Sequence, residues 1–225
     1  MSFYLRGLFA LAFLVLCISP ACASVCGDDL DGVRVACDCG STVVSDIKLR
    51  IDDPIVMHRC ELNGLFIRAG ANTDSIRVDL GGFPIVGSGA GTGIRVFDGG
   101  RAGATIVGGS DGAVGQILGF SVGISARGRN ALATLRNVLV ESNTKTGIIV
   151  NSDSAVFTNV ATIRNGADGA RIGGRDIDTR GLEAISNAGL GIVTSDRART
   201  KSARSESPAA SNSVFGEMNS AEVPQ

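Results

Sequence analysis

The densest concentration of reactive side chains in this sequence is Arg175-Asp176-Ile177-Asp178-Thr179-Arg180. Two carboxylates flanking one apolar residue, with a guanidinium on either side, are the raw material of a calcium half-site or an acid/base pair. Calcium collects several oxygen ligands, and proton transfer needs titratable groups held in reach of one another. If Ile177 points into a core, strand alternation sends Asp176 and Asp178 outward on one face, roughly 7 Å apart. Asp176, Asp178, Arg175 and Arg180 are therefore the candidate catalytic residues, and Asp176 and Asp178 the candidate calcium ligands. The competing account is a solvated charged face, because one repeat earlier only Ser154 and Val156 stand in the corresponding places. No second acidic pair completes the site.

The other motifs are weaker. Gly87-Ser88-Gly89-Ala90-Gly91-Thr92-Gly93 has the glycine content of a phosphate loop, but no helix is expected after it to offer an N-terminus to an anion. Gly108-Gly109-Ser110-Asp111-Gly112 is one copy of a calcium nonapeptide-like run that functions only in tandem arrays. His58, the sole histidine, has no nucleophile pattern beside it. The basic cluster Arg197, Arg199, Lys201 and Arg204 lacks the stacking aromatics of a single-strand nucleic-acid site, and 21 Lys+Arg against 22 Asp+Glu leave a net charge of −1. Nucleic acid is thus not an expected partner, and no cofactor beyond calcium is implied.

Residues 1–23 read as a secretory signal: Arg6, an apolar run from Gly7 to Ile18, then Ser19, Pro20 and Ala21-Cys22-Ala23 as the cleavage site. The apolar run is shorter than the roughly 20 residues of a membrane-spanning helix, and no transmembrane segment is expected once it is removed. A lipidated Cys22 is the alternative, although the preceding residues fit that signal poorly. Export makes the location periplasmic, cell-surface or secreted. It also makes Cys26, Cys37, Cys39 and Cys60 disulfide candidates; of three possible pairings, adjacency along the chain favours Cys26 with Cys37 and Cys39 with Cys60. Cys37-Asp38-Cys39 is too irregular for a zinc set.

The elements that must position these residues are set by a repeat. Gly followed by a short apolar segment recurs at Gly93-Ile94, Gly123-Ile124, Gly147-Ile148, Gly169-Ala170 and Gly191-Ile192, in steps of 30, 24, 22 and 22 residues. Asn143, Asn165 and Asn187 precede the last three glycines by four positions, and Asn137, Asn159 and Gly181 stand six positions earlier still. Val138, Val160 and Leu182 form an inward column, as do Val140, Thr162 and Ala184, with the mixed column Leu139, Ala161 and Glu183 between them facing out. A second strand is marked by Ala133, Ala155 and Ile177 with Leu135, Phe157 and Thr179, and the Gly-Ile segment supplies a third. Three strands per turn, stacked about 4.8 Å apart, make a parallel β-helix, right-handed by the crossover rule. Asn143, Asn165 and Asn187 are expected at tight bends, where Asn tolerates left-handed backbone, with their amides stacked in an internal ladder; the alternative is that they simply occupy exposed turns. Thirty-one glycines, no Trp and one Tyr suit this architecture and exclude long amphipathic helices.

Further residues carry a family resemblance. Cys39-Gly40-Ser41-Thr42-Val43-Val44, Cys60, Gly64-Leu65, Ile76-Arg77-Val78-Asp79-Leu80-Gly81-Gly82 and Ile85-Val86-Gly87-Ser88-Gly89 resemble the cap and first coils of exported right-handed parallel β-helix repeat proteins, the pectate-lyase-like group. The likeness spans about residues 39 to 195, and Phe83 stands where the group commonly has His. It implies the fold, whereas activity varies across the group between lyases, epimerases and other members.

The expected organisation is a signal at 1–23, a disulfide-bearing cap at 24–61, a parallel β-helix at 62–195 and a polar, disordered tail at 196–225. The end of the solenoid would be covered by that tail or a partner chain, or belong to a shortened protein; left bare it would favour end-to-end self-association. The functional expectation is a non-catalytic surface, adhesion or glycan-contact module whose partner is a polysaccharide or cell-surface component. The alternative is a polysaccharide lyase or uronate epimerase acting on an acidic polysaccharide.

Overall fold

Short strands follow one another along almost the whole described chain because apolar and polar residues alternate over two to ten positions before a glycine or left-handed residue turns the backbone. The computed structural model describes residues 24–69, 74–195, 199–201 and 204–206, the last two stretches as backbone only. The signal segment 1–23 and most of the tail lie outside the described residues.

The strands form two largely parallel sheets. One runs through Val25–Leu30, Thr42–Val43, Leu65–Arg68, Thr92–Asp98, Val122–Arg127, Ile148–Asn151, Ala170–Gly173 and Ile192–Thr194, with Val33–Val35 antiparallel at its edge. The other holds two strips, joined because Leu132–Glu141 and Ser154–Ile163 each pass through both. Each long strand bends at an asparagine with φ near +55°, Asn137 and Asn159 respectively, a conformation that Asn adopts more readily than most side chains. Three strips per coil is the arrangement expected from the repeat. The Gly-Ile segments are in register, Ile94 on Ile124 on Ile148 on Ala170 on Ile192.

The interior is a tube of stacked aliphatic residues. Ile94, Ile124 and Ile148 from one sheet meet Leu135, Val138 and Val140 from the other, all at most 1% exposed. One inward assignment is corrected: a register irregularity between Leu132 and Thr134 gives the buried place to Leu132, and Ala133 is only partly buried. Ala155 and Ile177, its repeat equivalents, are buried as expected.

The asparagine ladder is internal. Asn143 Nδ2 donates to Asn165 Oδ1 at 2.9 Å, and Asn165 Nδ2 to Asn187 Oδ1 at 2.9 Å. The same oxygens accept the backbone N–H of Asn143 and of Asn165, at 3.1 and 3.0 Å. Each Nδ2 also reaches a carbonyl of the neighbouring coil, Ile117, Val140 or Thr162. All three residues are 1% exposed, so every amide group is satisfied by protein. The left-handed backbone expected of them belongs to the preceding residues, Ser142, Arg164 and Ser186, with φ of 52°, 53° and 54°. The turn is made one position early, and the Asn side chain is thereby swung inward.

The glycines four residues later are explained by this ladder. A Cβ on Gly147 would lie 2.6 Å from the Gly169 carbonyl and 2.8 Å from Asn165 Nδ2; one on Gly169 would lie 2.6 Å from Asn187 Nδ2. The Asn and Gly columns are one device: glycine leaves the space that the next coil's amide fills.

Parallel pairing is found on both sides of residues 62–195. Within the disulfide region Val25–Leu30 pairs in parallel with Thr42–Val43. Arg199–Lys201 pairs with Asp176–Asp178, and Arg204–Glu206 with Leu182–Ile185, carrying parallel pairing beyond Ser195.

Candidate functional site

The Asp176 strip takes its place from Ile177, which is 1% exposed and anchors the three-residue strand Asp176–Asp178. Ser154 lies beside Asp176 and Val156 beside Asp178, in the expected register. Asp176 is exposed and Asp178 half-buried. Asp178 is bound by its neighbour: Arg180 Nε donates to Oδ1 at 2.9 Å, and the backbone N–H of Arg180 donates to the same oxygen at 3.2 Å. That hydrogen bond, and then the carboxylate's charge, raise the Arg180 pKa above its ordinary value. Arg175 instead approaches Asp153, which also faces Arg129, at 3.9 and 3.8 Å.

Arg175 therefore joins one set of charge pairs, and Arg180 with Asp178 another. Among the described residues no group of three or more His, Cys, Asp or Glu could hold a metal ion. Arg199 and Lys201 are the next backbone positions in register beside Asp176 and Asp178.

The weaker motifs resolve into structural roles. Gly89 and Gly91, at φ of 101° and 65°, turn the chain directly into strand Thr92–Asp98. Asp111 Oδ1 accepts the Ala113 N–H at 3.0 Å, closing a local turn. His58 is exposed at the end of the four-residue helix Pro54–Met57, its N–H donating to the Pro54 carbonyl.

Cys26–Cys37 and Cys39–Cys60 are bonded, with Cα separations of 5.1 and 5.3 Å, the pairing that chain adjacency favoured. Beside the first bridge lies an ionic clamp that was not legible beforehand. Asp53 is fully buried and accepts from Arg34 at 2.6 Å, from the Arg50 N–H at 2.7 Å and from the Cys37 N–H at 3.3 Å. Asp28 holds the same guanidinium at 3.0 Å. Burial would lower the Arg34 pKa, but hydrogen bonding and charge from Asp53, with a smaller share from Asp28, hold it above the usual value.

A second surface feature also escaped the sequence reading. Arg95 and Phe97 point outward from strand Thr92–Asp98, whose Ile94 and Val96 are buried. Phe66, paired with Arg95 on the neighbouring coil, stacks on Phe97 with ring centroids 5.7 Å apart and planes 28° from parallel. The Arg95 guanidinium carbon lies 4.7 Å from the Phe97 ring centre. Phe97 remains 48% exposed and also borders a pocket of about 250 Å³ with Asp98, Gly128, Arg129 and Asn130. The available signal was an aromatic on the polar side of a strand in a chain with 9 Phe, no Trp and one Tyr.

Comparison with protein-family models, curated proteins and solved structures gave no match to this chain. The geometry itself defines a mostly β protein built from two parallel sheets, consistent with a β-solenoid. Its disulfides point to an oxidising, extracytoplasmic setting. No helix among the described residues is long and apolar enough to cross a membrane.

Proposed function

We propose that this chain is an exported β-helix scaffold of the pectate-lyase-like kind, in the periplasm, at the cell surface or secreted, and that it works as a non-catalytic glycan-contact or adhesion module. The observation that carries this reading is the constant register of the non-core positions over successive coils, as in Phe66 on Arg95 and Ile149 on Arg171, of which Arg95 and Arg171 are exposed. Such a column forms a regular, rigid row against which an extended polymer can lie, because strand-borne side chains hold their positions better than loop-borne ones. The disulfides and the signal-like N-terminus support export.

The test is incubation of the protein with a panel of uronate polysaccharides, with and without calcium, following binding and the absorbance of unsaturated products. Binding without product is the expected result. Calcium-dependent product formation abolished by Asp176→Asn or Asp178→Asn would replace this reading with a polysaccharide lyase. Absence of binding throughout the panel would remove the glycan-contact role.

A further inference from the structure

We infer that Asn165-Gly166 is a latent deamidation site, sheltered while the coils are stacked and converted once the C-terminal coils open, so that it makes their opening irreversible. The inference is independent of what the outer faces bind. The sequence holds two Asn-Gly pairs, Asn63-Gly64 and Asn165-Gly166. Such pairs cyclise readily because glycine has no side chain to shield its amide nitrogen from the neighbouring carboxamide. The other ladder asparagines are followed by Thr144 and Ala188, whose Cβ atoms hinder that attack. Coil packing forces the labile pair onto the middle rung: the ladder needs the amide of Asn165, and a Cβ on Gly166 would stand 2.3 Å from the Thr144 carbonyl oxygen.

In the reaction the Gly166 nitrogen gives up its proton to solvent base and bonds to Asn165 Cγ, the Cγ–Nδ2 bond breaks, and Nδ2 leaves as ammonia. Water then opens the cyclic imide to aspartate or isoaspartate. The folded chain holds both reacting groups back. The Gly166 N–H donates to the Asn143 carbonyl at 2.8 Å. Asn165 Nδ2 donates to Asn187 Oδ1 at 2.9 Å and to the Val140 carbonyl at 3.2 Å, while Oδ1 accepts from the N–H and Nδ2 of Asn143. The carboxamide is turned into the tube and is buried, so Cγ reaches the Gly166 nitrogen only after these bonds are broken. Gly166 itself is exposed, so water is at hand once they are.

A solenoid opens most readily from an end, because each coil contacts only its neighbours. The N-terminal coils are cross-linked by Cys26–Cys37 and Cys39–Cys60, which leaves the C-terminal end as the weaker one. Asn187 is the last rung among the described residues, and its departure removes the acceptor of both the Asn165 N–H and Asn165 Nδ2. Asn63 is released later, because its Oδ1 accepts the Thr92 N–H at 3.0 Å close to the Cys39–Cys60 bridge. Neither product at position 165 can rejoin the ladder. Aspartate would set a charged oxygen against the Val140 carbonyl and Asn187 Oδ1, where a donor is required. Isoaspartate would add a methylene to the backbone and break the register with the coils on either side.

Peptide mapping by mass spectrometry follows both pairs in protein held in mildly alkaline buffer, through the tryptic peptides 165–171 and 60–68. Without denaturant, 165–171 should convert far more slowly than in fully unfolding urea. In sub-denaturing urea it should convert before 60–68, and the fraction that refolds on dilution should fall in step with that conversion. Asn187→Ala should speed conversion of 165–171 without urea about ten-fold, the rise in open population expected from stranding buried ladder groups, and leave 60–68 unchanged. The measurements on the unaltered protein stand whether or not that variant folds. Conversion of 165–171 as fast in the native as in the fully unfolded protein overturns the shelter. Equal conversion of the two peptides in sub-denaturing urea, or equal acceleration of both by Asn187→Ala, overturns opening from the C-terminal end. Full refolding of protein converted at 165–171 overturns the irreversible step.

Discussion

The two ends of this solenoid are held together by different chemistry. Near the N-terminus the coils are irregular, with a 30-residue step between Gly93 and Gly123, and they are secured by two disulfides and the buried Asp53–Arg34 pair. From Asn143 onward the step is 22 residues, and a ladder of neutral amides does the equivalent work. The changeover is visible at Phe120. Its backbone N–H donates to Asn143 Oδ1 at 2.9 Å, and its buried ring fills the interior against Gly87 and Gly93. A large apolar side chain thus begins the column that asparagines continue. Regular coils can share a repeating hydrogen-bonded device because each presents the same groups to the next; irregular coils cannot, and rely on cross-links particular to one place.

Substitution at the centre of the ladder should separate the two regions most sharply. Asn165→Ala removes the acceptor of two hydrogen bonds and the donor of two more, all buried, and is expected to cost about 4 kcal/mol given ~1–3 kcal/mol for each stranded buried group. Denaturant unfolding should show that loss as a lowered midpoint. An effect below that of Asn187→Ala would mean the ladder is not cooperative. Asp53→Ala strands the half-buried Arg34 and two backbone donors, with an expected cost of about 3 kcal/mol. Cys26→Ser together with Cys37→Ser should cost a similar amount, about 3 kcal/mol for a loop of 11 residues. If the clamp and the bridge support the same segment, the combined variant will fall short of the sum of the two losses.

Gly147→Ala should destabilise by about 2 kcal/mol through the Cβ overlap with the Gly169 carbonyl and the Asn165 amide. Combined with Asn165→Ala, which clears part of that space, the added methyl should cost less than it does alone; strict additivity would sever the link drawn between the Asn and Gly columns. The smallest effect is expected at Arg180→Ala. It removes an exposed ion pair with Asp178 and should leave the unfolding midpoint in place. A large shift there would give the Asp176 strip a structural role that its exposure does not suggest.

Much of this architecture could be read along the chain because a repeating fold writes its cross-section into the sequence many times. The Gly-Ile register, the inward columns at Val138 and Val140, the disulfide partners and the interior asparagine file all follow from period, alternation and adjacency. What one coil demands of its neighbour was not in the periodicity. The left-handed residue preceding each ladder asparagine, the bulge that buries Leu132 in place of Ala133, and the pairing that runs past Ser195 depend on how adjacent coils meet. The surface was the least legible part. Asp176, Asp178, Arg175 and Arg180 are neighbours along the chain, but three-dimensional packing assigns Arg175 to Asp153 and Arg180 to Asp178. Phe66 and Phe97, about one coil apart, become a stacked platform only when the strands close side by side. Periodicity constrains the inside of the tube because burial acts alike on every coil; outward side chains answer only to the partners that folding brings within reach.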